Sequence, residues 1–144
     1  MTNSSIITLP SSSCVMLLAI GLLMSSSAEA QRLKEIGKTS TGDPVFIETG
    51  SVKKADGIIT ASIRARFAKP TKASFGDLYA SRTIVMFDCT KQVVAVKENW
   101  YYFDAAGKKI GNHKVVGKPG YGPVFKGSVP DVAMAHLCAA RPAK

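Results

Sequence analysis

The chain has 144 residues, with 19 Lys and Arg against 10 Asp and Glu, a formal net charge of +9. That length suits one domain, and the sequence shows no internal repeat and no candidate second domain. The excess of positive charge points to anionic partners, whose local concentration and encounter rate it raises.

The first 30 residues do not read as part of that domain. Cys14 to Met24, "CVMLLAIGLLM", is an uncharged apolar run of 11 residues. It is too short to span a hydrocarbon core, which takes roughly 20 residues, and it matches the apolar region of a secretory signal. Ala28-Glu29-Ala30 is a small-x-small cleavage site, so residues 1–30 are expected to be a cleaved signal peptide. Residues 31–144 are then a single exported domain, periplasmic or secreted. Residues 1–13 contain no Lys or Arg, which departs from the usual signal. A lipoprotein signal sets its cysteine at the cleavage site, whereas Cys14 precedes the apolar run. Soluble export without a transmembrane anchor is therefore expected. Cleavage would leave 19 basic and 9 acidic side chains, a net charge of +10, and two cysteines, Cys89 and Cys138.

The mature chain reads mostly as strands. "RLKEIG" forms an edge strand and "DPVFIET" a short one, with "GSVKKADG" as the turn that follows. "GIITASIRARFA" alternates cleanly, with Ile59, Ala61, Ile63, Ala65 and Phe67 on one face and Thr60, Ser62, Arg64 and Arg66 on the other. "KPTKASFGD", with Pro70 and Gly76, reads as a loop. "LYASRTIVMFDC" resumes a strand with Thr83, Val85, Phe87 and Cys89 on one face. Its partner "KQVVAVKENWYYFD" is long enough to contain a bulge, and Val94, Val96, Trp100 and Tyr102 share one parity that Glu98 interrupts. Asp104 to Gly107 is a hairpin turn, and "KKIGNHKVVG" returns from it. "KPGYGPV" is a loop. In "SVPDVAMAHLCAA" the period changes: Ser128 caps a helix, Asp131 completes a capping box, and Met134, Leu137 and Cys138 form one stripe beside Ala133. The expected fold class is α+β, an antiparallel sheet with a C-terminal helix packed on it.

Cys89 and Cys138 admit three readings. An even count in an oxidising compartment favours a disulfide, which would close a 49-residue loop and contribute about 4 kcal/mol. A zinc site needs four ligands, and two lone cysteines with two scattered histidines lack ligand spacing. A catalytic cysteine needs a polarising neighbour, and His136, two residues before Cys138, would point elsewhere on a helix. Neither a metal nor a cofactor is expected.

Three stretches resemble one family of exported bacterial envelope proteins. "PVFIETGSVKKADGIITASIRARF", with Ser51 ahead of the second strand, is similar to the opening of the surface-adhesin protein E family. "FDCTKQVVAVKENWYYFDAAGKKI" is similar to its cysteine-ended strand and its aromatic–Asp–x–x–Gly hairpin, and "SVPDVAMAHLC" to its Ser-capped helix ending in a second cysteine. The likeness spans residues 44–138. Two departures stand out: Glu48 lies where an Asp is common, and the lipid-bearing cysteine of the best-known adhesin is missing. The resemblance implies an antiparallel sheet under a helix, closure by Cys89–Cys138, and a non-enzymatic envelope role. It also implies partners among host matrix or plasma proteins, as bound by some relatives, or an anionic envelope component.

The chemistry-bearing residues are few. Lys53-Lys54, Lys69 with Lys72, and Lys108-Lys109 fall at turns or loops, the ordinary place for solvated lysines, whereas Arg64 and Arg66 share a strand face. Arg64, Arg66 and Tyr121, which stands between Gly120 and Gly122, are the candidate ligand contacts. "NWYYF" invites a stacking role, but alternation places Trp100 and Tyr102 at the core or its edge. Tyr101 and Phe103 are then partly exposed, where they could mark an interface such as a homodimer. No catalytic residue is assigned. The alternative is a small secreted nuclease with Glu98 and His113 as base and acid and Arg64 or Arg66 for the phosphate. No phosphate loop, nucleophile elbow or zinc motif accompanies them.

Overall fold

The structure, a computed structural model, describes residues 32–139. The expected signal peptide and its cleavage site lie outside the described residues. Eight antiparallel strands form one sheet: β1 Leu33–Lys38, β2 Pro44–Glu48, β3 Lys53–Ala55, β4 Ile58–Ala73, β5 Gly76–Asp88, β6 Val93–Tyr102, β7 Ile110–Val115 and β8 Gly122–Pro123. The spatial order is β1-β2-β4-β5-β6-β7, with β3 continuing beside β4 and β8 beside β6. One helix, α1 (Val129–Ala139), follows. The α+β architecture expected from the sequence is the one observed.

Alternation along β4 builds the core. Ile59, Ala61, Ile63 and Ala65 are buried, and pairing places Phe87 and Val85 of β5 beside Ile59 and Ala61. Val45 and Ile47 of β2 join them, and Ala133, Met134 and Leu137 of α1 close the cluster from above. Helix and sheet approach closely at Gly37, which follows the bulged residue Ile36 of β1 and where an added Cβ would lie 2.9 Å from Val132. Ser128 caps the α1 N-terminus as the sequence predicts, but Asp131 does not close the expected box with the Ser128 N–H, which donates to the Phe125 carbonyl. Ser128 Oγ accepts the Asp131 N–H at 3.4 Å, and the Asp131 carboxylate accepts from the Gly127 N–H at 2.8 Å. At the other end Cys138 bonds to Cys89, at the end of β5. The bridge fastens the helix to the sheet.

Three expectations need correction. "KPTKASFGD" is not a loop: β4 runs on to Ala73, and a two-residue turn at Ser74-Phe75 leads into β5. Pro70 is tolerated because pairing jumps from Arg66–Ala80 to Thr71–Leu78, so no ladder partner awaits its missing N–H. In the same gap the Ala68 N–H donates to the Asp43 carboxylate at 2.7 Å instead. "GSVKKADG" is more than a turn. A 3-10 turn at Thr49–Ser51 leads into β3, which pairs with β4 through the turn at Asp56-Gly57, both at positive φ. The detour leaves the Ser62 N–H without a strand partner, and Ser51 Oγ accepts it at 2.8 Å while donating to the Glu48 carbonyl. Hence Lys53-Lys54 and Lys69 with Lys72 are strand residues, although exposed.

The third correction concerns Trp100 and Tyr102. Pairing of β5 with β6 shifts between Ile84–Glu98 and Val85–Val96, so Lys97 is an extra residue. Val94 and Val96 face the helix, while Glu98, Trp100 and Tyr102 pair with Ile84, Arg82 and Ala80 on the opposite face. Tyr102 is buried there, apart from the main core, and Trp100 is half-buried.

Candidate functional site

The face turned away from α1 carries a continuous cross-strand row. Phe46 pairs with Arg64, Arg64 with Arg82, Arg82 with Trp100, and Trp100 with His113, across β2, β4, β5, β6 and β7. Paired residues share a face, so the four registers bring these side chains into contact distance.

Glu48 organises the row. Its Oε1 accepts from Arg64 Nε at 2.6 Å and Arg82 Nε at 3.1 Å, and its Oε2 accepts from Arg82 Nη2 at 3.1 Å. Arg82 Nε also donates to Ser62 Oγ at 3.0 Å. Burial works to raise the Glu48 carboxyl, but hydrogen bonds from Arg82 and Arg64, with Ser62 adding to them, outweigh it and hold the group below the usual glutamate range. One carboxylate between two guanidiniums leaves a net positive charge.

Arg82 also lies over the Trp100 ring at 4.7 Å, and His113 stacks on the same ring at 4.5 Å with planes 6° apart. These two come from the strands on either side of β6, so both faces of Trp100 are covered. The stacking role that "NWYYF" suggests is therefore filled from within the protein. His113 Nε2 lies 3.3 Å from Glu98 Oε2, so the nuclease candidates Glu98 and His113 do meet. Arg64, three strands from His113 and roughly 14 Å away at ordinary strand spacing, is turned to Glu48 rather than to that pair.

Beyond the row the face is concave. The β6–β7 hairpin folds back over it, held by the Asp104 carboxylate, which accepts the Lys109 and Lys108 N–H groups. Those bonds hold its carboxyl below the usual aspartate range, the Lys109 bond foremost. Gly107 takes the left-handed conformation (φ 69°) that the turn requires, and its N–H donates to the Asp104 carbonyl at 3.2 Å. Beneath the hairpin lies a recess of about 280 Å³. Arg64, Arg66 and Lys108 line it, with Phe46, Ala80 and Tyr102 supplying apolar surface, and none of its lining residues is acidic. The Arg66 guanidinium rests on the Phe46 ring at 5.0 Å.

The sequence candidates Arg64 and Arg66 thus meet in one recess. Tyr121, exposed, does not join them: it precedes β8, which pairs with Val93 and Val94, whereas Arg66 aligns with Ala80 and Tyr102 at the far end of the sheet. Arg82, Glu48 and the hairpin residues were not foreseen as part of this surface. Alternation already puts Arg82 opposite Thr83, Val85 and Phe87, but only the register shows that it faces Arg64. Among the described residues no group of three or more His, Cys, Asp and Glu side chains could hold a metal ion, and no helix is long and apolar enough to cross a membrane.

The sequence model of surface-adhesin protein E matches residues 33–139, the whole sheet and the helix. The chain belongs to this family. Comparison with curated proteins gave no match. In this adhesin-E domain the matched stretch takes in Cys89 and Cys138, Ser51, Glu48 and the hairpin at Asp104–Gly107.

Proposed function

We propose that the protein is an exported, non-enzymatic binding module of adhesin type, whose open sheet face holds an anionic or protein ligand. One observation carries the reading: three cations and no acidic residue line a recess on the face that the helix leaves free, with Glu48 holding Arg64 from beside it. Membership of a surface-adhesin family supports binding as the activity. The ligand contacts are Arg64 and Arg66, with Lys108 added from the hairpin. Host matrix and plasma proteins are the first partners to test, and an anionic envelope component the next.

The test is binding of the purified protein to immobilised laminin or vitronectin, titrated with salt and compared with heparin. Saturable binding to the host protein that persists at physiological ionic strength is the expected result. Binding to heparin alone that collapses with salt would reduce the face to diffuse positive charge. The nuclease alternative rests on the Glu98–His113 contact. A phosphodiesterase activity lost in His113→Ala or Glu98→Ala, with the fold intact, would replace the present reading with that one.

A further inference from the structure

We propose that the recess under the β6–β7 hairpin seats one acidic sugar unit, a ring bearing a carboxylate, within or at the end of a glycan. This deepens the binding-module reading and rests on it for the choice of face.

The charge is placed for an anion and held in advance. Glu48 takes Arg64 through Nε alone, which leaves the two Nη groups to act as a fork. Nη1 lies toward the hairpin, 3.5 Å from where a Cβ on Gly107 would stand. A guanidinium fork matches a carboxylate in bidentate fashion. Arg66 is braced on Phe46, so an anion entering between the two arginines meets guanidiniums already positioned, with Lys108 on the exposed hairpin that lines the recess. Such preorganisation lowers the ordering cost of binding.

Shape and polarity narrow the ligand further. The recess, about 280 Å³, is at the small end of ligand sites, which run roughly 300–1,000 Å³. It takes a single ring rather than a chain. Ala80 and Tyr102 are buried and, with Phe46, present carbon surface beneath the cations. A bare inorganic anion leaves that surface unused, whereas the C–H face of a pyranose covers it. A nucleobase would seek an open aromatic face, and Trp100 has none.

The experiment is calorimetric titration of the whole purified protein at physiological salt with sialyllactose, a glucuronate-containing disaccharide, neutral lactose, sulfate and a short single-stranded oligonucleotide. Saturable binding of either acidic sugar, with lactose and sulfate at least about tenfold weaker, is expected. Ala106→Trp, at an exposed hairpin position lining the recess, fills the space without changing charge and should abolish binding. Arg66→Ala should weaken it about tenfold, the loss of one charge-assisted contact, while Lys53→Ala, the same charge removed elsewhere, should not. Whichever acidic sugar binds better tells a sialylated host glycan from a uronate polymer. Equal binding by sulfate or the oligonucleotide, indifference to Ala106→Trp, or no sugar binding overturns the proposal. If laminin or vitronectin still binds in that last case, the sugar seat fails and the binding module stands; if sugar binds and neither protein does, the seat stands without those partners.

Discussion

The two faces of this sheet are made by the same strands and differ in almost everything else. Under α1, residues such as Ile59, Ile63, Val85 and Phe87 are aliphatic or aromatic and almost inaccessible. On the other side Ser62, Arg64 and Arg82 form a polar ladder closed by Glu48. Strand alternation separates the two tasks residue by residue. One face supplies stability, and the helix and disulfide seal it. The other is free to carry charge because the first has already buried enough apolar surface.

Breaking the sealed face should cost most. Cys89→Ser with Cys138→Ser is expected to lower stability by about 4 kcal/mol, the chain-entropy value for a loop of this length, read as a lower denaturation midpoint. Met134→Ala, in α1, should cost about 3 kcal/mol in the same measurement, from lost transfer energy plus a cavity. At temperatures where either variant is folded, the open face should bind as before.

The open face has one strong structural tie. Glu48→Ala strands two half-buried arginines and should destabilise by about 1.5–3 kcal/mol. The same residue predicts a pH dependence. Because its folded pKa lies below the ordinary glutamate value of 4.5, its contribution is complete above that pH and is lost as the pH falls through the lowered folded value. An acid titration of the unfolding midpoint should therefore show a decline below about pH 4.5 that is shallower in Glu48→Gln. Ser51→Ala should cost about 1 kcal/mol, for it leaves the Ser62 N–H without its acceptor. Lys53→Ala should change stability by less than about 0.5 kcal/mol.

Much of this was legible in the chain itself. The β4 alternation named the buried and basic faces, Ser128 and Asp131 announced the helix start, and Asp104 with Gly107 announced the hairpin. That β6 is long enough to hold a bulge was legible, but the bulge's position and the register were not, since nothing local distinguishes Lys97 as the extra residue. Without it Trp100 counts with Val94 and Val96, and the polar ladder loses its aromatic member. The "KPTKASFGD" stretch misled for a related reason: Pro70 breaks a ladder only where its N–H is needed, and the shift at Arg66–Thr71 removes that need. Glu48 carried no signal either, because its partner Arg82 is 34 residues away and meets it only when β4 lies between them.

The central claim is that binding belongs to the recess on the open face rather than to positive charge at large. It is tested most directly by salt-titrated binding to immobilised laminin or vitronectin of two double variants, Arg64→Ala with Arg66→Ala and Lys53→Ala with Lys54→Ala. Each removes two positive charges, and folding is checked by circular dichroism. The account predicts that the arginine pair loses binding at physiological salt and the lysine pair keeps it. Equal loss in both would contradict it.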